Sequence, residues 1–152
     1  MAARIDIAEL VSEGVAVIVA TRDAELRPEL SRAWGPALSE DGERLTVCVE
    51  AEPHSAMERN LEPGSPASAF IARLTSHAGV QLKGSVVEVA APTPDRLETV
   101  TRHVDGFVAE TAGVGVPEPL ARALVGPDLL TVTIAVAERF DETPGPGAGR
   151  PL

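Results

Sequence analysis

A series of short apolar segments separated by turn-forming residues constrains the fold of this chain most strongly. The segments are rich in β-branched residues, and several short strands at such spacing favour an antiparallel barrel or sandwich over a parallel α/β sheet. The predicted strands are Val15–Thr21, Pro28–Ala37, Arg44–Val49, Pro66–Ala72, Gly79–Val89 and Leu129–Val136. Gly84 interrupts the fifth of them, which predicts a bulge or a close backbone approach at that position.

Three short segments have helical periodicity instead. Ile5–Glu13 places apolar residues at helical spacing and ends before Gly14. Pro53–Leu61 contains a second short helix that Ser55 can cap. Pro117–Val125 predicts one or two further helical turns.

One long helix is predicted after Thr93, which can cap it, with Pro94 at the first helical position. Its apolar stripe consists of Leu97, Val100, Val104, Phe107 and Val108. Gly113 and Gly115 end it. The fold class expected from these elements is α+β, mainly β: a six-stranded antiparallel barrel with flanking helices.

A length of 152 residues, 44% of them apolar, fits one domain, which we place at residues 1–140. Residues 141–152 form a Gly/Pro-rich tail. Because the tail has too few side chains to pack a core, we expect it to be ordered only if it docks on something.

The charge balance limits the classes of partner. The sequence carries 23 acidic and 13 basic residues, a net charge of −10, which argues against binding to nucleic acid or to an anionic membrane. The single cysteine, Cys48, excludes an internal disulfide and is expected to be buried and inert. We find no signal-peptide pattern and no apolar run long enough for a membrane span, so a cytoplasmic location is expected.

The common catalytic motifs are absent from the sequence. It has neither a P-loop nor a Gly-x-Ser-x-Gly elbow, and its three histidines lack the spacing of a zinc site. His103 is expected on the polar, solvent-facing side of the long helix, and His77 in a solvated turn. The start of the helix at Ser55 has two interpretations, an anion site to which Arg59 adds charge or an ordinary capped helix.

The order of elements, together with three local patterns, resembles a known family over residues 5–138. The patterns are an Ala-Thr-x-Asp-x-x-x-x-Pro strand turn (Ala20–Pro28), a Ser-x-x-x-x-Asn-Leu helix (Ser55–Leu61) and a strand with Gln-Leu-Lys-Gly (Gln81–Gly84). The family is the FMN-binding split barrel of the pyridoxamine 5′-phosphate oxidase-like superfamily. The resemblance implies a split barrel, a homodimer with flavins in its interface clefts, and a small-molecule oxidoreductase whose chemistry is supplied by FMN.

The same resemblance implies a set of cofactor-binding positions. They are Ser31, Arg32, Ala33, Trp34, Ser55, Met57, Gln81 and Lys83. In the family, an arginine and a lysine on the second strand and a Ser-Arg-Lys at the helix start hold the phosphate. Here Ser31 and Pro36 stand at the two strand positions, and only Ser55 matches the helix motif.

Three functions follow from these residues. The first is a flavin-dependent oxidoreductase, and the second is a non-enzymatic barrel that binds flavin, haem or another planar ligand. The third is a cofactor-free barrel that acts through protein contacts. Trp34 either stacks on a flavin ring or belongs to the core or a dimer interface, and His54 and His77 are the candidate haem ligands. The missing basic residues weaken the first function and favour the other two.

Overall fold

The computed structural model describes residues 5–12 and 14–152 and contains seven antiparallel strands in this part of the chain. The strands are β1 (Ala16–Arg22), β2 (Pro28–Leu38), β3 (Arg44–Glu50), β4 (Pro66–Ala72), β5 (Gly79–Ala90), β6 (Leu129–Asp141) and β7 (Arg150–Pro151). Their order is β3-β2-β1-β4-β5-β6-β7, and an additional pairing of β3 with β6 closes strands β1 to β6 into a barrel. The predicted α+β, mainly β fold with a six-stranded antiparallel barrel is therefore confirmed.

Small aliphatic side chains fill the barrel. Alternate residues of each strand point inward, as the pleat requires. The buried ones include Val17, Val19, Leu45, Val47, Ile71, Leu82, Val86 and Ile134. A narrow six-stranded barrel leaves room for side chains only, and Val, Leu and Ile fit this space in a chain with only 3% aromatic residues.

Four helices flank the barrel in the described ranges. They are α1 (Ile7–Val11), α2 (Ala56–Asn60), α3 (Pro94–Ala112) and α4 (Glu118–Arg122). The helix predicted over residues 5–13 is thus shorter, and its last residue, Glu13, lies outside the described residues. None of these helices is long and apolar enough to cross a membrane.

Helix α3 packs on the outside of β2 and forms a second core there. This core contains Trp34, Cys48, Val100, Val104, Phe107, Val108 and Ala121. Cys48 is fully buried, as predicted. Leu97, which the predicted stripe included, is 45% exposed, because the first turn of α3 extends beyond this core.

The prediction that His103 faces solvent is wrong. The side chain is only 8% exposed and contacts the backbone of β2 and of the residue before β1. Its Nδ1 accepts a hydrogen bond from Gly35 N–H (3.1 Å), and its Nε2 donates to the carbonyl of Val15 (2.8 Å). Gly35 has a positive φ of 61°, and the register of β2 against β3 shifts at this point. The shifted backbone leaves an N–H that the imidazole satisfies.

Strand β6 is longer than predicted, and the tail that follows it docks on the chain. The strand continues beyond Val136 to Asp141, because the first half of the long β5 pairs with it. The tail then returns, and Arg150 and Pro151 pair with Asp141 and Phe140. Leu152 packs against the barrel core, so the end of the tail docks on its own chain.

The prediction for Gly84 is confirmed on both counts. The register between β5 and β6 shifts between Lys83 and Gly84, which marks an irregularity of the bulge type. A Cβ at Gly84 would lie 1.7 Å from the carbonyl oxygen of Ala135. The two backbones are therefore too close for any larger residue.

Candidate functional site

A pocket of about 290 Å³ opens beside the short helix α2, and we call it the Ser55 pocket. It lies where β2, the end of β3, α2 and the loop before β6 meet. Its lining residues are Leu30, Ser31, Glu50, Ala51, Glu52, Ser55, Met57, Gly126, Pro127 and Asp128. Three of the predicted site residues, Ser31, Ser55 and Met57, therefore share one pocket.

The two hydroxyl groups of this pocket are already engaged by the protein. Ser31 Oγ donates to the carbonyl of Glu50 at 2.5 Å. Ser55 Oγ accepts from the N–H of Glu58 at 3.1 Å and so caps α2. Met57 is 5% exposed, and its sulfur accepts a hydrogen bond from Thr21 at 3.5 Å. Ser55 thus caps a five-residue helix, as the sequence predicted.

Glu50 holds the far wall of the pocket, and no sequence pattern singles it out. Its Oε1 accepts hydrogen bonds from Trp34 Nε1 at 2.6 Å and from Gly126 N–H at 2.9 Å. These bonds join β3, β2 and the loop before β6. Residues 126–128 also line the pocket but were not predicted as site residues, because no local sequence pattern shows which strand end a loop will approach.

Trp34 lies in the second core rather than at a surface. It is 2% exposed, and its ring meets Phe107 edge to face with 5.3 Å between centroids. His103 lies 5.7 Å from the same ring. Ala33, one residue before it, is 1% exposed in the barrel core. In the single chain, therefore, neither residue presents a free surface to a flavin ring.

The remaining predicted site residues lie on a neighbouring surface, which we call the outer face and which shares Leu30 with the Ser55 pocket. It consists of outward-pointing residues of β2, β1, β4, β5 and β6 in two cross-strand rows. One row is Arg32, Ile18, Phe70, Gln81 and Phe140, and the other is Leu30, Ala20, Ser68, Lys83 and Glu138. Arg32 and Gln81 are separated by two strands, so their backbones lie about 14 Å apart, three inter-strand spacings.

The outer face is partly apolar and carries basic groups. Phe70 is 40% exposed and Leu30 is 65% exposed. The Lys83 ammonium lies 4.8 Å from the centre of the Phe140 ring, a cation–π contact. A groove of about 650 Å³ at one end of the face is lined in part by Arg22, Ser68, Lys83, Ser85 and Glu138.

All the charged residues that line the Ser55 pocket are acidic. Glu50, Glu52 and Asp128 line it, and none of its lining residues is basic. Arg59, the residue expected to add positive charge, is exposed and donates to the carbonyl of His54 at 2.5 Å. The candidate site residues are therefore divided in one chain among an acidic pocket, a partly apolar outer face with charges of both signs, and the core.

The sequence itself matches no protein-family model and no curated protein. Solved structures do match the fold. HupZ from group A Streptococcus has a TM-score of 0.57 at 16% identity, over 97% of this chain and 99% of that chain. An F420 reductase has a TM-score of 0.56 at 15% identity, over 90% and 98% of the two chains.

A third match is a Clostridium acetobutylicum protein related to general stress protein 26 of B. subtilis, described as of the pyridoxinephosphate oxidase family. Its TM-score is 0.51 at 16% identity, over 87% of this chain and 82% of that chain. The chain therefore has the split-barrel fold of these solved structures, as its sequence pattern predicted.

Proposed function

We propose that this protein binds a flavin at the outer face of its split barrel and acts as an oxidoreductase on a small molecule. The fold supports this proposal, because a solved structure of the same fold is an F420 reductase and another is described as of the pyridoxinephosphate oxidase family. FMN is the flavin that the family resemblance implies.

The observation that carries the proposal is the outer face. Helix α3 packs on β2 and forms the second core there, whereas Phe70 on the outer face remains 40% exposed beside Gln81 and Lys83. Such a surface combines an apolar area for a ring with an amide and an ammonium for its polar edge. We also propose a homodimer, because pairing of two copies along this face would bury Phe70 and enclose a ligand between them.

The two ends of FMN fit this protein unequally. The outer face suits an isoalloxazine ring, because Ile18, Ala20 and Phe70 provide apolar area there. The Ser55 pocket does not suit the phosphate, because a phosphate dianion requires charge-assisted donors and the pocket offers three carboxylates.

This mismatch favours a second candidate function, a barrel that binds a flavin or another planar ligand without catalysis, or no cofactor at all. Haem belongs to the same alternative. The two haem-ligand candidates, His54 and His77, are exposed turn residues with positive φ values of 66° and 59°. Neither is fixed on a strand facing a pocket.

The visible absorption spectrum of the purified protein, with and without added FMN or riboflavin, tests the proposal. We expect flavin bands and quenched flavin fluorescence in the complex. A colourless protein that quenches neither flavin would refute it, and a Soret band on addition of haem would support the alternative.

Variants of the outer face give a sharper test. Phe70→Glu places a charge on this face, and we expect it to weaken both flavin binding and dimerisation, as measured by titration and by sedimentation. The matched control is Leu120→Glu, at an equally apolar residue that is 62% exposed on α4. Equal behaviour of the two variants would contradict a role for the outer face.

Lys83 provides an independent measurement, because it is the only lysine of the sequence. Labelling with an amine-reactive reagent, followed by peptide mass spectrometry, reports its accessibility. We expect flavin to protect Lys83 from modification. Unchanged labelling at saturating flavin would place the ligand elsewhere.

A further inference from the structure

We infer that the Ser55 pocket rejects a phosphate ester, so that the flavin this protein binds most tightly is one without a phosphate, of the riboflavin class. This inference rests on the flavin binding proposed above. It reverses the preference that a phosphate-clamping split barrel would show.

The pocket is negatively charged. Glu50, Glu52 and Asp128 bring three carboxylates to a space of about 290 Å³, in which no lining residue is basic. Like charges repel, and the walls of a pocket weaken the screening of this repulsion by bulk water. A phosphate dianion in the pocket would therefore be repelled by the acidic residues that line it.

Glu50 cannot turn away from the pocket. Its Oε1 is held by Trp34 Nε1 at 2.6 Å and by Gly126 N–H at 2.9 Å. Moving the carboxylate would leave the buried indole N–H without its partner, which is costly. The negative charge at this wall of the pocket is therefore fixed by the second core.

The side-chain hydrogen-bond donors near the pocket are used or point elsewhere. The hydroxyls of Ser31 and Ser55 bond to the backbone of Glu50 and Glu58. The guanidinium of Arg59 bonds to the carbonyl of His54. Arg32 is adjacent to Ser31 on β2 but does not line the pocket.

The hydroxyl-rich ribityl chain of a flavin is not repelled by these carboxylates. The ribityl chain of riboflavin is neutral and can donate hydrogen bonds to carboxylates such as Glu52 and Asp128. The same chain in FMN ends in a dianion, which cannot donate to them. The pocket therefore discriminates by charge between two ligands that share one ring.

The test compares the affinities of riboflavin and FMN by fluorescence quenching, with the full chain at low and high salt. At low salt, we expect riboflavin to bind at least about fivefold more tightly than FMN, and high salt to narrow the ratio because it screens the repulsion. FMN binding equal to or tighter than riboflavin binding would overturn the inference while leaving the proposed flavin binding intact. Failure of both ligands to bind would refute the proposed function and the inference with it.

Two double variants distinguish the effect of the pocket charges on FMN affinity from the effect of the protein's net charge. Glu52→Gln with Asp128→Asn removes two charges from the pocket, and we expect FMN binding to improve several-fold while riboflavin binding changes little. Glu98→Gln with Asp95→Asn makes the same change in net charge on α3, away from the pocket. Equal gains in FMN affinity from the two double variants would show that net charge, not the pocket, is responsible, and would overturn the inference.

Discussion

The close approach of β5 and β6 at Gly84 gives the most direct test of the structure. In a Gly84→Ala variant, the new Cβ would lie 1.7 Å from the carbonyl oxygen and 2.8 Å from the carbonyl carbon of Ala135. Both atoms belong to the backbone of β6, so the clash cannot be relieved by a side-chain rotation. Relief requires a shift of the ladder that closes the barrel.

The expected cost is large for a single methyl group. Overpacking by a methylene typically costs about 1–3 kcal/mol, and the ladder shift adds to it, so we expect a loss of about 3 kcal/mol or more. A loss of this size is a substantial part of a total folding free energy of about 5–15 kcal/mol. The variant should therefore unfold at clearly lower denaturant concentration.

Gly79→Ala is the matched control on the same strand. Its Cβ would lie 3.4 Å from the Phe70 ring, which is ordinary van der Waals contact, and Gly79 does not have a positive φ. The assay is chemical denaturation followed by the fluorescence of Trp34, the only tryptophan of the sequence. If the two variants have unfolding free energies within about 0.5 kcal/mol of each other, the scale of a neutral surface change, the close approach is refuted.

Three further predictions concern buried groups. Burial lowers the pKa of His103, and the hydrogen bond to Val15 opposes this only in part. The unfolded chain therefore takes up a proton on His103 at a higher pH than the folded protein does. This contribution to the free energy of unfolding should be complete above about pH 6.5 and be lost as the pH is lowered. Denaturation curves at several pH values should show a weaker pH dependence for His103→Gln. Glu50→Ala should cost about 1–3 kcal/mol, since it leaves the Trp34 N–H unpaired; unchanged stability would contradict this. Cys48 should react with a thiol reagent only at the rate of unfolding, and rapid labelling of the native protein would show that it is accessible.

Local patterns in the sequence were sufficient to predict the strands of the barrel and the long helix. β-Branched segments bounded by Gly, Pro and Asp predict strands, because the steric and turn preferences involved act within a few residues. Strand β4 has the predicted bounds, and Thr93 caps α3 as predicted, accepting from the N–H of Arg96. Gly84 was recognised on equally local grounds, since a glycine inside an apolar strand often marks a bulge or a close backbone approach.

The position of His103 could have been inferred more accurately from the sequence. It lies three residues after Val100 and four before Phe107, so it falls within the apolar stripe of α3. Treating it as polar placed it on the wrong face. Its burial depends on a free N–H at Gly35, which arises only from the register shift between β2 and β3.

Tertiary structure alone decided which candidate site residues lie in the Ser55 pocket, which lie on the outer face and which lie in the core. The sequence places Ser31 and Arg32 side by side and shows that the expected phosphate-binding residues are missing. It cannot show that Glu50, Glu52 and Asp128 meet around Ser55, because β3 pairs with β6 only when the barrel closes. The sequence by itself thus determined the strands, the long helix and the family likeness, which depend on local preferences. The charge of the pocket and the open outer face depend on contacts between residues far apart in the chain, and only the folded barrel brings these residues together.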